Sequence, residues 1–89
     1  MGIWVRTLLV TAAPAELEAA REGHLGHLRR LHAEGRLRAA GELGDGEGFL
    51  EFFEAKDRLE AESIARSSPL VEEGLGTWML REWVEIRFP

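Results

Sequence analysis

His24 is the residue whose type and position are best suited to chemistry. At 100° per residue, Leu17, Ala20, His24, Leu28 and Leu31 fall on one stripe of a helix, with Leu25 at its edge. A histidine replaces the expected leucine or alanine, so its imidazole points toward the helix–sheet interior or a pocket there. With an unperturbed pKa of about 6.5, imidazole is the usual general acid or base. The competing reading is a core histidine satisfied by a backbone carbonyl. His27 and His32 complete a His-x-x-His-x-x-x-x-His pattern, which raises zinc. Metal-binding helices repeat ligands at i, i+4 or recruit ligands from other elements, and no such partner is evident, so no metal is expected. His27 and His32 are expected to be solvated or half-buried.

The other candidates are weaker. The segment from Gly41 to Gly48 is glycine-rich, but it lacks a lysine, does not open a helix, and carries Glu42, Asp45 and Glu47, which would repel phosphate. It reads as a flexible connection, in which Glu42 or Asp45 would serve as acid or base if the loop folded over His24. Ser63, Ser67 and Ser68 are the only serines, and none lies in a Gly-x-Ser-x-Gly elbow, which argues against a serine hydrolase. Trp4, Trp78 and Trp83 read as core or interface anchors.

Eighty-nine residues make one domain over residues 1–89, small enough to gain from oligomerisation. The chain has no cysteine, which removes disulfides, thiolate nucleophiles and Cys-based metal sites. A net charge of −5 without a basic stripe argues against nucleic acid. No signal peptide or membrane span is recognisable, so a cytoplasmic location is expected. Asn and Gln are absent while Glu and Arg are abundant, a bias that suits a thermophilic source and that a GC-rich genome also produces in part.

The elements that must position His24 follow from periodicity. Ile3 to Val10 is a strand, with Ile3, Val5 and Leu9 on one side and Trp4, Leu8 and Val10 on the other. Pro14 opens a helix that Gly35 ends. Its Gly23 and Gly26 have no evident role. Leu37 to Leu43 and Phe49 to Ala55 are strands; Asp57 caps a helix running to about Ser67. A turn through Val71 to Glu73 leads to a last strand, Thr77 to Phe88. The order is β-α-β-β-α-β, a ferredoxin-like α+β domain with a four-stranded antiparallel sheet. Two helices cover one sheet face. The other, with Met79 and Trp83, needs a cover, and a second copy of the chain is the expected one.

With these elements in place, the chain resembles the YciI-like, or YCII-related, family. Arg21-x-x-His24-Leu25-x-x-Leu28-x-x-Leu31, Gly35-x-Leu37 and Ala40-Gly41 resemble its first half; Pro69-x-Val71-x-x-Gly74-Leu75 and Arg81-x-Trp83 resemble its second. The resemblance implies a dimeric α+β barrel in which two sheets face each other. It makes His24 the family histidine, with Arg21 one turn before it. Some relatives break down chlorinated aromatics, eliminating chloride or handling muconolactone-type compounds. The family pairs its histidine with an aspartate in Asp-Pro-Tyr, where this chain reads Ser68-Pro69-Leu70. Serine can hydrogen-bond an imidazole but cannot supply its negative charge.

Three outcomes follow for the pair. Ser68 orients His24, Asp45 or Glu42 replaces the lost carboxylate, or catalysis is gone. The expectation is a cofactor-independent enzyme using His24 as acid or base on a small polar, lactone-like substrate, with Arg21, Ser68, Glu42 and Asp45 around it. The alternative is a non-catalytic dimeric module that binds a small ligand or serves only as scaffold. Cofactorless oxygen chemistry rests on fold analogy alone.

Overall fold

The computed structural model describes residues 2–89. Strand β1 (Gly2–Val10) leads into helix α1 (Pro14–Ala33), then β2 (Leu37–Leu43), β3 (Gly48–Ala55), α2 (Arg58–Arg66), the single turn α3 (Pro69–Glu72) and β4 (Gly76–Trp83). The strands form one antiparallel sheet in the order β2-β3-β1-β4. This is the ferredoxin-like arrangement anticipated from the element order.

Local chemistry explains the boundaries. Pro14 occupies the first turn of α1, where its missing N–H costs nothing. The Asp57 carboxylate accepts from the Glu60 N–H at 2.9 Å and caps α2. Gly23 now has a reason. A Cβ there would lie 3.0 Å from Pro69 Cγ, so the glycine lets α1 approach α3 closely.

Two corrections concern the C-terminal half. The single turn begins at Pro69 rather than Val71. The last strand ends at Trp83, not Phe88, because Trp83 already pairs with Ile3 and only Gly2 of the described residues remains on β1 beyond it. Val84, Ile86 and Phe88 therefore run past the sheet and stay exposed. No helix among the described residues is long and apolar enough to cross a membrane.

The helix-covered face holds two apolar clusters. Trp4, Phe53, Ala55, Ala61, Ala65 and Leu80 pack under α2. Leu8, Ala20, Phe49 and Leu70 pack between α1, α3 and the sheet. Between them, β1 places Arg6 after Trp4 and before Leu8, while β3 places Glu51 between Phe49 and Phe53. The seam between the clusters is thus polar, fully buried and central.

Candidate active site

Arg6 and Glu51 are direct cross-strand partners in the β1–β3 register, and both side chains point inward. Arg6 Nε donates to Glu51 Oε1 at 2.6 Å, and its terminal nitrogen donates to the Ala65 carbonyl at 2.6 Å. Ala65 lies in the last turn of α2, where carbonyls lack helical partners and the dipole favours a cation. The guanidinium therefore serves two elements at once.

The other carboxylate oxygen of Glu51 meets His24. His24 Nε2 lies 2.7 Å from Glu51 Oε2, and His24 Nδ1 lies 2.6 Å from Ser68 Oγ. All three side chains are buried. Ser68 sits at the start of α3, yet its hydroxyl makes no capping bond there. Burial pushes the Glu51 carboxyl up, but the His24 hydrogen bond and the Arg6 charge outweigh it and hold it below the usual carboxylate range. An ionised carboxylate only accepts. In its neutral form the His24 ring would then carry its proton on Nε2, leaving Nδ1 to accept from the Ser68 hydroxyl. The result is a continuous chain from Ser68 through His24 and Glu51 to Arg6. A serine–histidine–carboxylate order of this kind can move a proton at Nδ1 while the carboxylate stabilises an imidazolium.

Of the residues expected around His24, the structure brings only Ser68 to the ring. Arg21 pairs with Glu42 at 2.9 Å on the half-exposed rim, and its guanidinium lies over the Phe49 ring. Phe49 contacts His24, with ring centroids 4.5 Å apart. Asp45 is exposed in the β2–β3 turn. Neither Glu42 nor Asp45 is the ring's carboxylate partner; Glu51 is. The signal was present in the sequence as two opposite charges, Arg6 and Glu51, among the otherwise apolar inward positions of two strands.

His27 was expected to be solvated or half-buried and is buried instead. Its ring stacks near His24 with centroids 6.1 Å apart, and its Nε2 has no hydrogen-bond partner among the described residues. Burial lowers its pKa from 6.5 to about 4, with Arg6, His24 and Arg30 adding to the effect and Glu51 opposing it. The unfolded chain therefore binds a proton at His27 before the folded chain does. Its contribution to stability is complete above about pH 6.5 and falls away toward pH 4, amounting to about 3 kcal/mol. The depressed Glu51 group adds a further loss at lower pH, as its own carboxyl protonates. The urea midpoint is thus expected to drop between about pH 7 and pH 4, and His27→Leu to flatten that drop. Equal slopes in the two proteins would contradict the assignment.

A depression of about 620 Å³ lies on the open sheet face among Ile3, Phe52 and Trp83. The sheet separates it from His24. On the helix side, an open depression of about 130 Å³ is lined by Leu25, Leu28, Ala40, Gly41, Glu42 and Phe49.

This fold and this histidine, one turn after Arg21, define a class. The chain matches the YCII-related domain family over residues 6–86 and belongs to it. It is 38% identical over 61 residues to the uncharacterized protein YjpA of Bacillus subtilis (strain 168), covering 68% of this chain and 72% of that one. Among solved structures it is similar to the 5-chloro-2-hydroxyhydroquinone dehydrochlorinase TftG from Burkholderia phenoliruptrix AC1100, in complex with 2,5-dihydroxybenzoquinone. The TM-score is 0.72 at 19% identity, over 92% of this chain and 93% of that one. At that identity the likeness speaks for the fold alone.

Proposed function

We propose that this protein is a cofactor-independent enzyme in which His24 transfers a proton to or from a small polar organic substrate, with elimination or isomerisation as the reaction class. The observation that carries this reading is the buried chain Ser68–His24–Glu51–Arg6. Burying three ionisable groups in so small a domain does little for stability, since apolar residues of similar volume usually serve as well or better. Perturbed, paired groups of this kind concentrate at functional sites. Glu51 supplies the negative charge that Ser68 cannot, so the departure from the family's aspartate need not end catalysis. Dehydrochlorination by TftG, a protein of the same fold, supports the reaction class.

The working form is a homodimer closed through the open sheet face. Leu9, Met79 and Trp83 are about half-exposed there, and the Trp83 ring meets Phe52 edge-on at 5.1 Å, forming a preformed apolar patch. Sedimentation should give about twice the 10.0 kDa chain mass. A monomer at micromolar concentration would contradict this.

A second reading has its own support. His24 is 0% exposed, with Phe49 packed against it, as in a structural histidine within a non-catalytic module. The deciding experiment assays chloride release from 5-chloro-2-hydroxyhydroquinone and isomerisation of muconolactone, with wild type and His24→Ala. The enzyme reading expects turnover that falls about 10²–10⁴-fold in the variant. No turnover of either compound favours the module, and turnover unchanged by His24→Ala removes the histidine from the reaction.

A further inference from the structure

We propose that residues 84–89 form an arm that crosses to a second copy of the chain. There it pairs along the free edge of β2 and seats Val84, Ile86 and Phe88 in the groove between α1 and β2. This rests on the homodimer reading above and adds to it a contact outside the open sheet face.

The arm is a strand pattern without a sheet. Apolar and polar residues alternate through Phe88, but the sheet uses the alternation only as far as Trp83. Trp83, Glu85 and Arg87 line one depression on the open face, so the parity of β4 persists beyond its last pair. Val84, Ile86 and Phe88 take the opposite parity and are 77%, 76% and 86% exposed. Three large apolar side chains in a row are an adhesive surface. The polar side satisfies itself, since Arg87 Nε donates to Glu85 Oε2 at 2.8 Å. The apolar side is therefore the one that lacks a partner, and no net charge remains to select a charged one.

The receiving surface is on the same chain. Among the described residues β2 pairs only with β3, so its other edge is free. Its middle, Ala39-Ala40-Gly41, is exposed and uncharged, without the lysine or proline that commonly blunts an edge. A Cβ added to Gly41 would meet nothing within 4 Å, so a neighbouring backbone can approach there. Beside this edge, Leu25 and Leu28 of α1 are shared by two adjoining depressions, one reaching Leu37 and the other Ala40. Together these form a shallow apolar groove along β2, suited to every second side chain of an added strand.

The topology makes the donor a second copy. In one chain β4 and β2 are opposite edges, with β1 and β3 between them, so the tail cannot lie along its own β2. Two sheets that face each other through their open sides, across a two-fold axis running along the strands, place each β4 beside the partner's β2. The arm is the direct continuation of β4. Arm meets groove twice, which is the self-complementarity a two-fold interface requires, and both free edges are covered.

The test is sedimentation of the whole chain beside a chain ending at Trp83 and the variant Ile86→Glu. Both changes should raise the dimer dissociation constant by about tenfold or more. Placement is read by disulfide trapping, which the absence of native cysteine makes unambiguous. A chain carrying Ile86→Cys, mixed with one carrying Leu25→Cys, should give a covalent dimer about tenfold faster than with Ser63→Cys on the exposed side of α2. A wild-type dimer indifferent to both tail changes, or a Leu25 cross-link no faster than the Ser63 control, overturns the arm and leaves the sheet-face dimer standing. A wild-type chain that sediments as a monomer at micromolar concentration removes both.

Discussion

Arg6→Met is expected to destabilise the protein by about 3–5 kcal/mol, because it leaves the Glu51 carboxylate buried without its guanidinium partner. A domain of this length has only roughly 4–13 kcal/mol in total. The variant should therefore show a strongly lowered urea midpoint, or fail to fold at neutral pH. The Ala65 carbonyl at the end of α2 also loses its donor, which adds to the penalty. Arg6→Met combined with Glu51→Gln removes both charges and should recover most of the loss, since a buried pair is costly to break but not to replace. A single substitution costing under about 1 kcal/mol would mean that Glu51 is not held ionised.

The same double variant separates stability from chemistry. With a neutral amide in place of Glu51, His24 still has a hydrogen-bond acceptor but no negative charge behind it. An imidazolium formed during proton transfer then lacks its counter-charge. Turnover should fall by about 10²–10⁴-fold although the fold is intact, as happens when the carboxylate of a histidine dyad is neutralised. Near-normal turnover would reduce Glu51 and Arg6 to packing. The readouts are independent, with urea unfolding reporting on the ion pair and the kinetic assay on the proton path.

Much of the fold was legible because period and punctuation agreed. Pro14, Gly35 and Asp57 mark real boundaries, and the stripe carrying His24 does face the sheet. The end of β4 was not legible, since Val84, Ile86 and Phe88 continue a perfect alternation. What stops the strand is the length of its neighbour β1, a tertiary fact that no local pattern carries. His27 was misjudged for a related reason. It lies off the centre of the apolar stripe, yet α1 sits deep enough on the polar seam to bury it.

The site was half legible. His24 and Ser68 stand out by type and spacing, and the structure places their side chains in contact. Glu51 escaped because a carboxylate between Phe49 and Phe52 looks like an outward residue until the strand's parity is fixed from its partner. Once β1 and β3 are paired, Arg6 faces Glu51 and the charges explain each other. Glu42 and Asp45 attracted attention through their glycine-rich surroundings, but a tight hairpin keeps that segment away from the imidazole. Glu42 instead pairs with Arg21 and ties β2 to α1.

The most direct test of the His24–Glu51 proton path is a ¹⁵N spectrum of the histidine rings, recorded on the whole chain with and without 2,5-dihydroxybenzoquinone. The expected result is a His24 ring whose Nε2 carries a proton protected from exchange by Glu51, with its Nδ1 signal shifting when the ligand is added. A His24 protonated at Nδ1, or one whose signals are unmoved by ligand, would contradict an acid–base role and return this residue to the hydrophobic core.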